Sequence, residues 1–229
     1  MKVLFIKGTP VSEEASRSTQ IAKHFIESFK KENPAAEITE IDVYKEAIQI
    51  IDADVLSGWG KLQSGEELTQ IEAEKVNSIN KFTEQFLEHD KYIIQSSMHN
   101  LSIPTMLKAY LDTIVTAGKT FKYTPEGPQG LMGGKTAIHI HGSGGFYSET
   151  TGIEHANSYI SGILNFIGLN TLPTIFVEGI DFDPSKKEEI MNTAKSKAEE
   201  VAKKFWFSNF LIWLCNNNFP WNIYHYHVI

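Results

Sequence analysis

Residues 2–29 read KVLFIKGTPVSEEASRSTQIAKHFIESF and contain a strand, a turn and a helix in that order. Lys2–Lys7 is a short apolar run, and Gly8–Pro10 after it is typical of a turn. From Ser16 onward the apolar residues recur every four positions, which predicts a helix capped by Ser16 or Ser18. A strand that leads directly into a helix is the first part of a β-α-β unit.

The same alternation continues through residue 204. We predict further strands at Glu37–Val43, Lys91–Ser96, Lys135–His141 and Pro173–Glu178, and further helices at Leu68–Glu88, Ile103–Ala117, His155–Ile167 and Pro184–Lys204. Five strands that alternate with five helices predict a three-layer α/β fold, with a five-stranded parallel sheet and helices on both faces. Such sheets bind ligands at the carboxyl ends of their strands.

Composition excludes several classes of protein. Hydrophobic residues make up 41% of the 229 residues and charged residues 21%, which excludes intrinsic disorder. The net charge of −7 argues against nucleic acid as a partner. The single cysteine, Cys215, excludes a disulfide framework and a multi-cysteine zinc site. The apolar run at the N-terminus is too short for a signal peptide, so we expect a cytoplasmic protein.

The last 25 residues differ from the rest of the chain. Residues 205–229 contain no Asp, Glu, Lys or Arg, but they hold three of the four tryptophans and the only cysteine. Their longest apolar run, Phe210–Cys215, is far shorter than the roughly 20 residues of a spanning helix, so we predict no membrane span. We interpret residues 1–204 as the domain and residues 205–229 as an aromatic-rich tail of unknown role.

The loop after the first strand suits an anion. A helix N-terminus with clustered hydroxyl groups, at Ser16–Thr19, can bind a phosphate, although these serines could instead simply cap the helix. The sequence has no G-x-x-x-x-G-K-[ST], and no G-x-G-x-x-G follows the first strand, which argues against a nucleoside triphosphatase and a dinucleotide-binding fold. A ligand with one terminal phosphate fits better.

Two later loops could contact the rest of such a ligand. Ser97–Pro104 could line a flat aromatic group, or it could be an ordinary turn capped by Ser102. His141–Tyr147 contains three glycines in four positions, which allows close backbone approach to a ligand but also suits a flexible turn. We interpret His139 and His141 as core residues, because no carboxylate or cysteine cluster joins them as metal ligands. No catalytic nucleophile is apparent, so we expect a cofactor to supply the reactivity.

On these residues, the chain resembles the FMN-dependent NADH:quinone oxidoreductases of the azoreductase family, which have the flavodoxin-like fold. The resemblance covers residues 1–204, and its most specific part is Asn100–Gly130, NLSIPTMLKAYLDTIVTAGKTFKYTPEGPQG. Where the family usually has Pro-Met, then Tyr or Trp, then Asn, this chain has Ser97–Asn100, with His99 at the aromatic position.

The resemblance implies that bound FMN carries the chemistry, with no catalytic side chain and no metal. It implies three groups of cofactor-binding residues: Thr9, Ser16, Arg17 and Ser18 at the FMN phosphate; Met98, His99, Asn100 and Leu101 against the isoalloxazine ring; and Gly142, Ser143, Gly144 and Gly145 at its pyrimidine edge. Candidate residues of the substrate pocket are Phe121, Tyr123 and Phe166, although a core role for Phe166 fits its helical pattern equally well. The implied electron donor is NADH or NADPH, the acceptors are quinones and azo compounds, and the assembly is a homodimer.

Two other functions stay open from the sequence. One is a flavodoxin-like electron carrier that serves protein partners, although the long segment Thr120–Gly130 is more than a carrier needs. The other is an NAD-binding Rossmann protein with Asp42 on the ribose, which the missing G-x-G-x-x-G disfavours.

Overall fold

The computed structural model describes the backbone of residues 1–149 and 152–216, and the side chains in these ranges as far as Trp206. Its strands are β1 (Lys2–Gly8), β2 (Glu37–Asp42), β3 (Lys91–Ser97), β4 (Phe121–Thr124), β5 (Gly127–Gly130), β6 (Thr136–Gly142), β7 (Asn170–Thr171) and β8 (Ile175–Val177). Its helices are α1 (Arg17–Glu32), α2 (Ala53–Ser64), α3 (Gln70–Leu87), α4 (Thr105–Ile114), α5 (Ala156–Phe166) and α6 (Lys187–Asn216).

The central sheet is parallel, and its strands lie in the order β2-β1-β3-β6. Two short strands, β7 and β8, both pair with β6, at Ala137–Thr171 and at Ile140–Ile175, and so occupy one edge position. Pro173 lies between them and has no amide hydrogen to donate to a neighbouring strand. Strand β8 lies inside the predicted fifth strand, Pro173–Glu178, whereas the two residues of β7 precede it and were not predicted.

Helices cover both faces of the sheet. On one face, apolar side chains of α1 and α6 pack against alternate residues of the strands, such as Phe5 and Ile140. On the other face, α3, α4 and α5 pack against the intervening residues, such as Ile6 and Ala137. Both sets of strand residues are buried, which explains why the strands are nearly continuous apolar runs. The predicted three-layer α/β fold is confirmed.

Two further features were not predicted. Helix α2 buries only Val55 and Gly58, and its Leu56 and Leu62 are exposed, so it lies at the surface of the fold. The antiparallel hairpin of β4 and β5 contains Pro128 and two glycines, which are unusual in strands. Its last residue, Gly130, lies against the chain at Gly168, because a side-chain carbon on Gly130 would be 2.3 Å from the Gly168 amide nitrogen.

Helix α6 continues past residue 204. Phe205 is fully buried, and its ring lies 5.3 Å from the rings of both Phe25 and Phe29. The first residue of the predicted tail is therefore part of the core, whereas residues 217–229 lie outside the described residues. In the part of the chain that the structure describes, no helix is long and apolar enough to cross a membrane.

Candidate functional site

The carboxyl ends of β1, β3 and β6 lie side by side, because the three strands are parallel neighbours. The loops after them, together with the start of α1, surround an open cavity of about 280 Å³. Of the predicted cofactor-binding residues, the following line it: Thr9, Ser16, Arg17, Ser18, Met98, Gly142, Ser143 and Gly144. His99, Asn100, Leu101 and Gly145 do not line the cavity.

The hydroxyl groups at the start of α1 are already engaged. Ser16 Oγ caps the helix by accepting hydrogen bonds from the Thr19 amide at 3.2 Å and from the Thr19 hydroxyl at 2.7 Å. Ser18 Oγ accepts a hydrogen bond from Gln95 Nε2 at 2.8 Å, and Gln95 Oε1 accepts one from the Gly8 amide at 3.1 Å. Because this cap engages the Thr19 amide, the amides of Arg17 and Ser18 and the Arg17 guanidinium are the groups that suit an anion here.

Thr9 is fixed where β1 ends. Its side chain is fully buried, and Thr9 Oγ1 accepts a hydrogen bond from the Ser97 hydroxyl at 3.2 Å. Its carbonyl accepts one from Lys7 Nζ at 3.1 Å, and the same ammonium forms an ion pair with Asp42 Oδ2 at 2.8 Å. Asp42 Oδ1 also accepts a hydrogen bond from the Tyr44 amide at 3.1 Å. This carboxylate therefore stabilises the end of β1, which differs from the role on the ribose of NAD that the Rossmann alternative gives it.

The loop after β3 is a tight turn. The His99 amide donates to the Ser102 carbonyl at 2.8 Å, and the Ser102 amide donates back to the His99 carbonyl at 3.1 Å. The two residues between them, Asn100 and Leu101, have φ angles of 49° and 67°. A left-handed conformation is unusual for leucine, and residues in such conformations cluster at functional sites.

The loop after β6 approaches the start of α1 closely. A side-chain carbon on Gly142 would lie 3.1 Å from both Cβ and Oγ of Ser18. Ser143 Oγ donates to the buried carboxylate of Glu178 at 3.1 Å, and Glu178 also accepts the Tyr147 amide at 3.2 Å. The loop is thus held to the edge of the sheet, and Gly142 and Gly144 let Ser18 and Asp181 approach its backbone closely.

Two histidines lie buried beneath these loops. Ser96 Oγ is 2.8 Å from His139 Nε2 and 2.7 Å from His141 Nδ1, so one hydroxyl joins β3 to both rings on β6. Burial lowers the pKa of His139 to about 4, and burial together with the neighbouring His139 lowers the pKa of His141 to about 3. Both imidazoles are therefore neutral at pH 7. His141 Nε2 has no hydrogen-bond partner among the described residues.

Residues 1–202 match the family Flavodoxin_2, which is described as a flavodoxin-like fold. The chain belongs to this family.

Two relatives extend the comparison. The chain is 45% identical over 206 residues to an FMN-dependent NADH:quinone oxidoreductase of Staphylococcus haemolyticus, covering 89% of this chain and 99% of the relative. It is 46% identical over 209 residues to FMN-dependent NADH:quinone oxidoreductase 2 of Bacillus subtilis, with the same coverage of both chains.

Solved structures of similar proteins have the same fold. An azoreductase from Bacillus anthracis superposes with a TM-score of 0.84 at 38% identity, covering 89% of this chain and 99% of its own. An FMN-dependent NADH-azoreductase from Bacillus anthracis, solved in complex with FMN, superposes with a TM-score of 0.80 at 33% identity, covering 89% of this chain and 98% of its own.

Within this flavodoxin-like fold, the three predicted pocket aromatics lie together but outside the cavity. The ring of Phe121 is 4.7 Å from that of Phe166 and 5.3 Å from that of Tyr123. Phe121 is buried, whereas Tyr123 is 76% exposed. The cluster therefore joins the β4–β5 hairpin to α5 and presents one ring to the surface. Among the described residues, no group of three or more His, Cys, Asp or Glu side chains could hold a metal ion.

Ser97, from the predicted loop Ser97–Pro104, also lines the cavity, and sequence reasoning missed four other residues that do so: Val11, Ala15, Val177 and Asp181. Asp181 is charged, and its Oδ1 lies 2.6 Å from an Nη atom of Arg17. It belongs to the loop after the last strand, β8. The rule that ligands bind at the carboxyl ends of parallel strands could have pointed to this loop, as it did to the three others.

Proposed function

We propose that the protein is an FMN-dependent NADH oxidoreductase that reduces quinones and aromatic azo compounds. The observation that carries this proposal is the cavity at the carboxyl ends of β1, β3 and β6, with a helix N-terminus and Arg17 on one side and glycines on the other. The names of the relatives, at 45% and 46% identity over 89% of the chain, support the same activity.

The residues present fit FMN. The helix N-terminus and the Arg17 guanidinium favour a phosphate dianion, and Thr9, Ser16 and Ser18 border the same part of the cavity. Met98 and the turn His99–Leu101 are proposed to lie against the isoalloxazine ring.

On the other side of the cavity, residues 142–145 are proposed to face the pyrimidine edge of the ring. Glycine there lets backbone amides approach the ring, where hydrogen-bond donors stabilise negative charge. The chemistry that FMN supplies when bound is two-electron transfer, from NADH or NADPH in one half-reaction and to the acceptor in a second at the same place. The protein orients the reactants and excludes water.

We also propose a homodimer that works in the cytoplasm, where NADH is available. The exposed ring of Tyr123 and the hairpin that carries it are outside the cavity of their own chain, which suits a pocket completed by a second copy. The tail, residues 205–229, is proposed to have no part in the flavin site; among the described residues, those that line the cavity lie between Thr9 and Asp181.

An absorption spectrum of the purified full-length protein, followed by assays of NADH oxidation with and without a benzoquinone, tests the proposal. We expect a flavin spectrum, release of FMN rather than FAD on denaturation, and NADH oxidation that depends on the quinone. A flavin spectrum without NADH oxidation would support an electron carrier instead. NADH binding without any flavin would support a Rossmann-type protein.

A further inference from the structure

The carboxylate of Asp181 lies opposite the N-terminus of α1, at the same cavity. The loop that carries it is fixed, because the amides of Asp181 and Phe182 donate to the Gly144 carbonyl at 3.0 and 3.2 Å. A side-chain carbon on Gly144 would lie 2.5 Å from Asp181 Oδ2, so the carboxylate rests directly over this glycine. The position of Asp181 is thus set by the loop after β6.

Arg17 is the group that Asp181 faces. It is the first residue of α1, and the first turn of this helix contains no acidic residue. A cation at a helix N-terminus is unfavourable, because the helix dipole places partial positive charge there. An anion beside Arg17 offsets this unfavourable interaction. In the structure the anion is the Asp181 carboxylate, whose Oδ1 lies 2.6 Å from a guanidinium nitrogen of Arg17.

A phosphate that binds at the start of α1 would meet the same guanidinium. The phosphate of FMN carries nearly two negative charges at pH 7, so it and the Asp181 carboxylate repel each other and compete for the same N–H donors. The side chain of Asp181 is 64% exposed and that of Arg17 is 34% exposed, which leaves both free to change partners.

We propose that Asp181 sets the affinity of the protein for FMN by competing with the FMN phosphate for Arg17. This inference rests on the proposed function, and it concerns the phosphate end of the ligand alone. The carboxylate lowers the affinity for phosphate-bearing flavin and leaves the affinity for riboflavin, which has no phosphate, unchanged.

The test is a titration of the full-length protein, freed of flavin, with FMN and with riboflavin. Asp181→Asn keeps the shape of the side chain and removes its charge, so we expect FMN to bind about tenfold more tightly at low ionic strength. The gain should shrink at high salt, since the pair is partly exposed. Riboflavin affinity should change less than twofold.

Asp183→Asn is the matched control. It removes the same charge two residues further along the chain. Asp183 accepts hydrogen bonds from Ser185 and does not line the cavity, so FMN affinity should change less than twofold. In the Arg17→Gln background, the effect of Asp181→Asn should be smaller, because only direct repulsion between the two anions remains.

Several results would overturn the inference. Weaker or unchanged FMN binding by Asp181→Asn would mean that the carboxylate positions Arg17 or has no role. An equal gain in affinity for riboflavin would mean that the substitution acts by changing the loop after β8, and not by ending competition for the Arg17 guanidinium. If the wild-type protein binds neither flavin, the proposed function fails, and the inference fails with it.

Discussion

Two loops at the same edge of the sheet differ in backbone conformation and in glycine content. The loop after β3 turns tightly without any glycine, and Asn100 and Leu101 adopt left-handed conformations, with φ of 49° and 67°. The loop after β6 contains three glycines, at Gly142, Gly144 and Gly145, and none of them has a positive φ. The loop after β3 has left-handed residues but no glycine, whereas the loop after β6 has three glycines and none of them is left-handed.

The difference shows that the two loops use their residues for different purposes. In the β6 loop the absence of a side chain provides space, since a carbon on Gly142 would crowd Ser18 at 3.1 Å. In the β3 loop, the surrounding structure holds an unfavourable leucine conformation, which the Leu101 carbonyl supports by accepting a hydrogen bond from the His155 amide at 2.9 Å. Four measurements test this comparison.

The largest effect should come from acid, because one buried network joins the strands that lead into both loops. Unfolded histidines bind a proton near pH 6.5, whereas His139 and His141 stay neutral until about pH 4 and 3. Between these values the unfolded state binds more protons, so stability falls as the pH is lowered from 7, by about 2 kcal/mol per histidine at pH 4.5.

Urea unfolding at pH 7 and pH 4.5 measures this loss. His141→Gln should reduce it, and His155→Gln, at an exposed position, should not. An equal loss in all three proteins would mean that other groups dominate the acid sensitivity.

The next effect tests whether the β6 loop needs space. Gly142→Val would push γ-carbons into Ser18, whose hydroxyl is bonded to Gln95, and displace the start of α1. We expect the Kd for FMN to rise at least about tenfold, which is about 1.4 kcal/mol. The control is Gly133→Val, because nothing lies within 4 Å of a side-chain carbon there. Unchanged FMN affinity in Gly142→Val would show that the loop is only a turn.

A smaller effect tests whether the β3 loop is strained. Leu101→Gly removes the left-handed penalty, and Leu131→Gly is a matched control, since the two leucines are 38% and 40% exposed and only Leu101 has a positive φ. The free energy of unfolding should be about 1–2 kcal/mol higher for Leu101→Gly than for Leu131→Gly. Thermal or urea unfolding measures the difference, and equal stabilities would mean that the turn is unstrained.

The smallest effect should come from removing residues 207–229. A chain that ends after Trp206 keeps Phe205, which packs between Phe25 and Phe29, and keeps all of the described residues that line the cavity. We expect its Kd for FMN to stay within twofold of the full-length value. Loss of flavin binding would mean that residues beyond 206 support the loops.

Much of this architecture was predictable from local sequence. The apolar runs of β1, β3 and β6 predict buried strands, because both of their faces are covered, and the N-cap of α1 is Ser16, one of the two predicted candidates. Helix α2 was missed, although Val55, Trp59 and Leu62 recur at helical spacing, and β7 was missed because a strand of two residues has no periodicity.

The sequence by itself therefore determined the α/β fold and three of the four loops that form the candidate site. Periodicity and turn chemistry act between neighbouring residues, and the parallel topology then brings the carboxyl ends of the strands together. Only the tertiary structure decided which side chains face one another. Asp181 meets Arg17 from 164 residues away, and Ser96 bridges His139 and His141, because the loops and strands that carry them pack side by side. Contacts between residues so distant in sequence depend on the packing of the whole domain, so a local sequence pattern does not predict them.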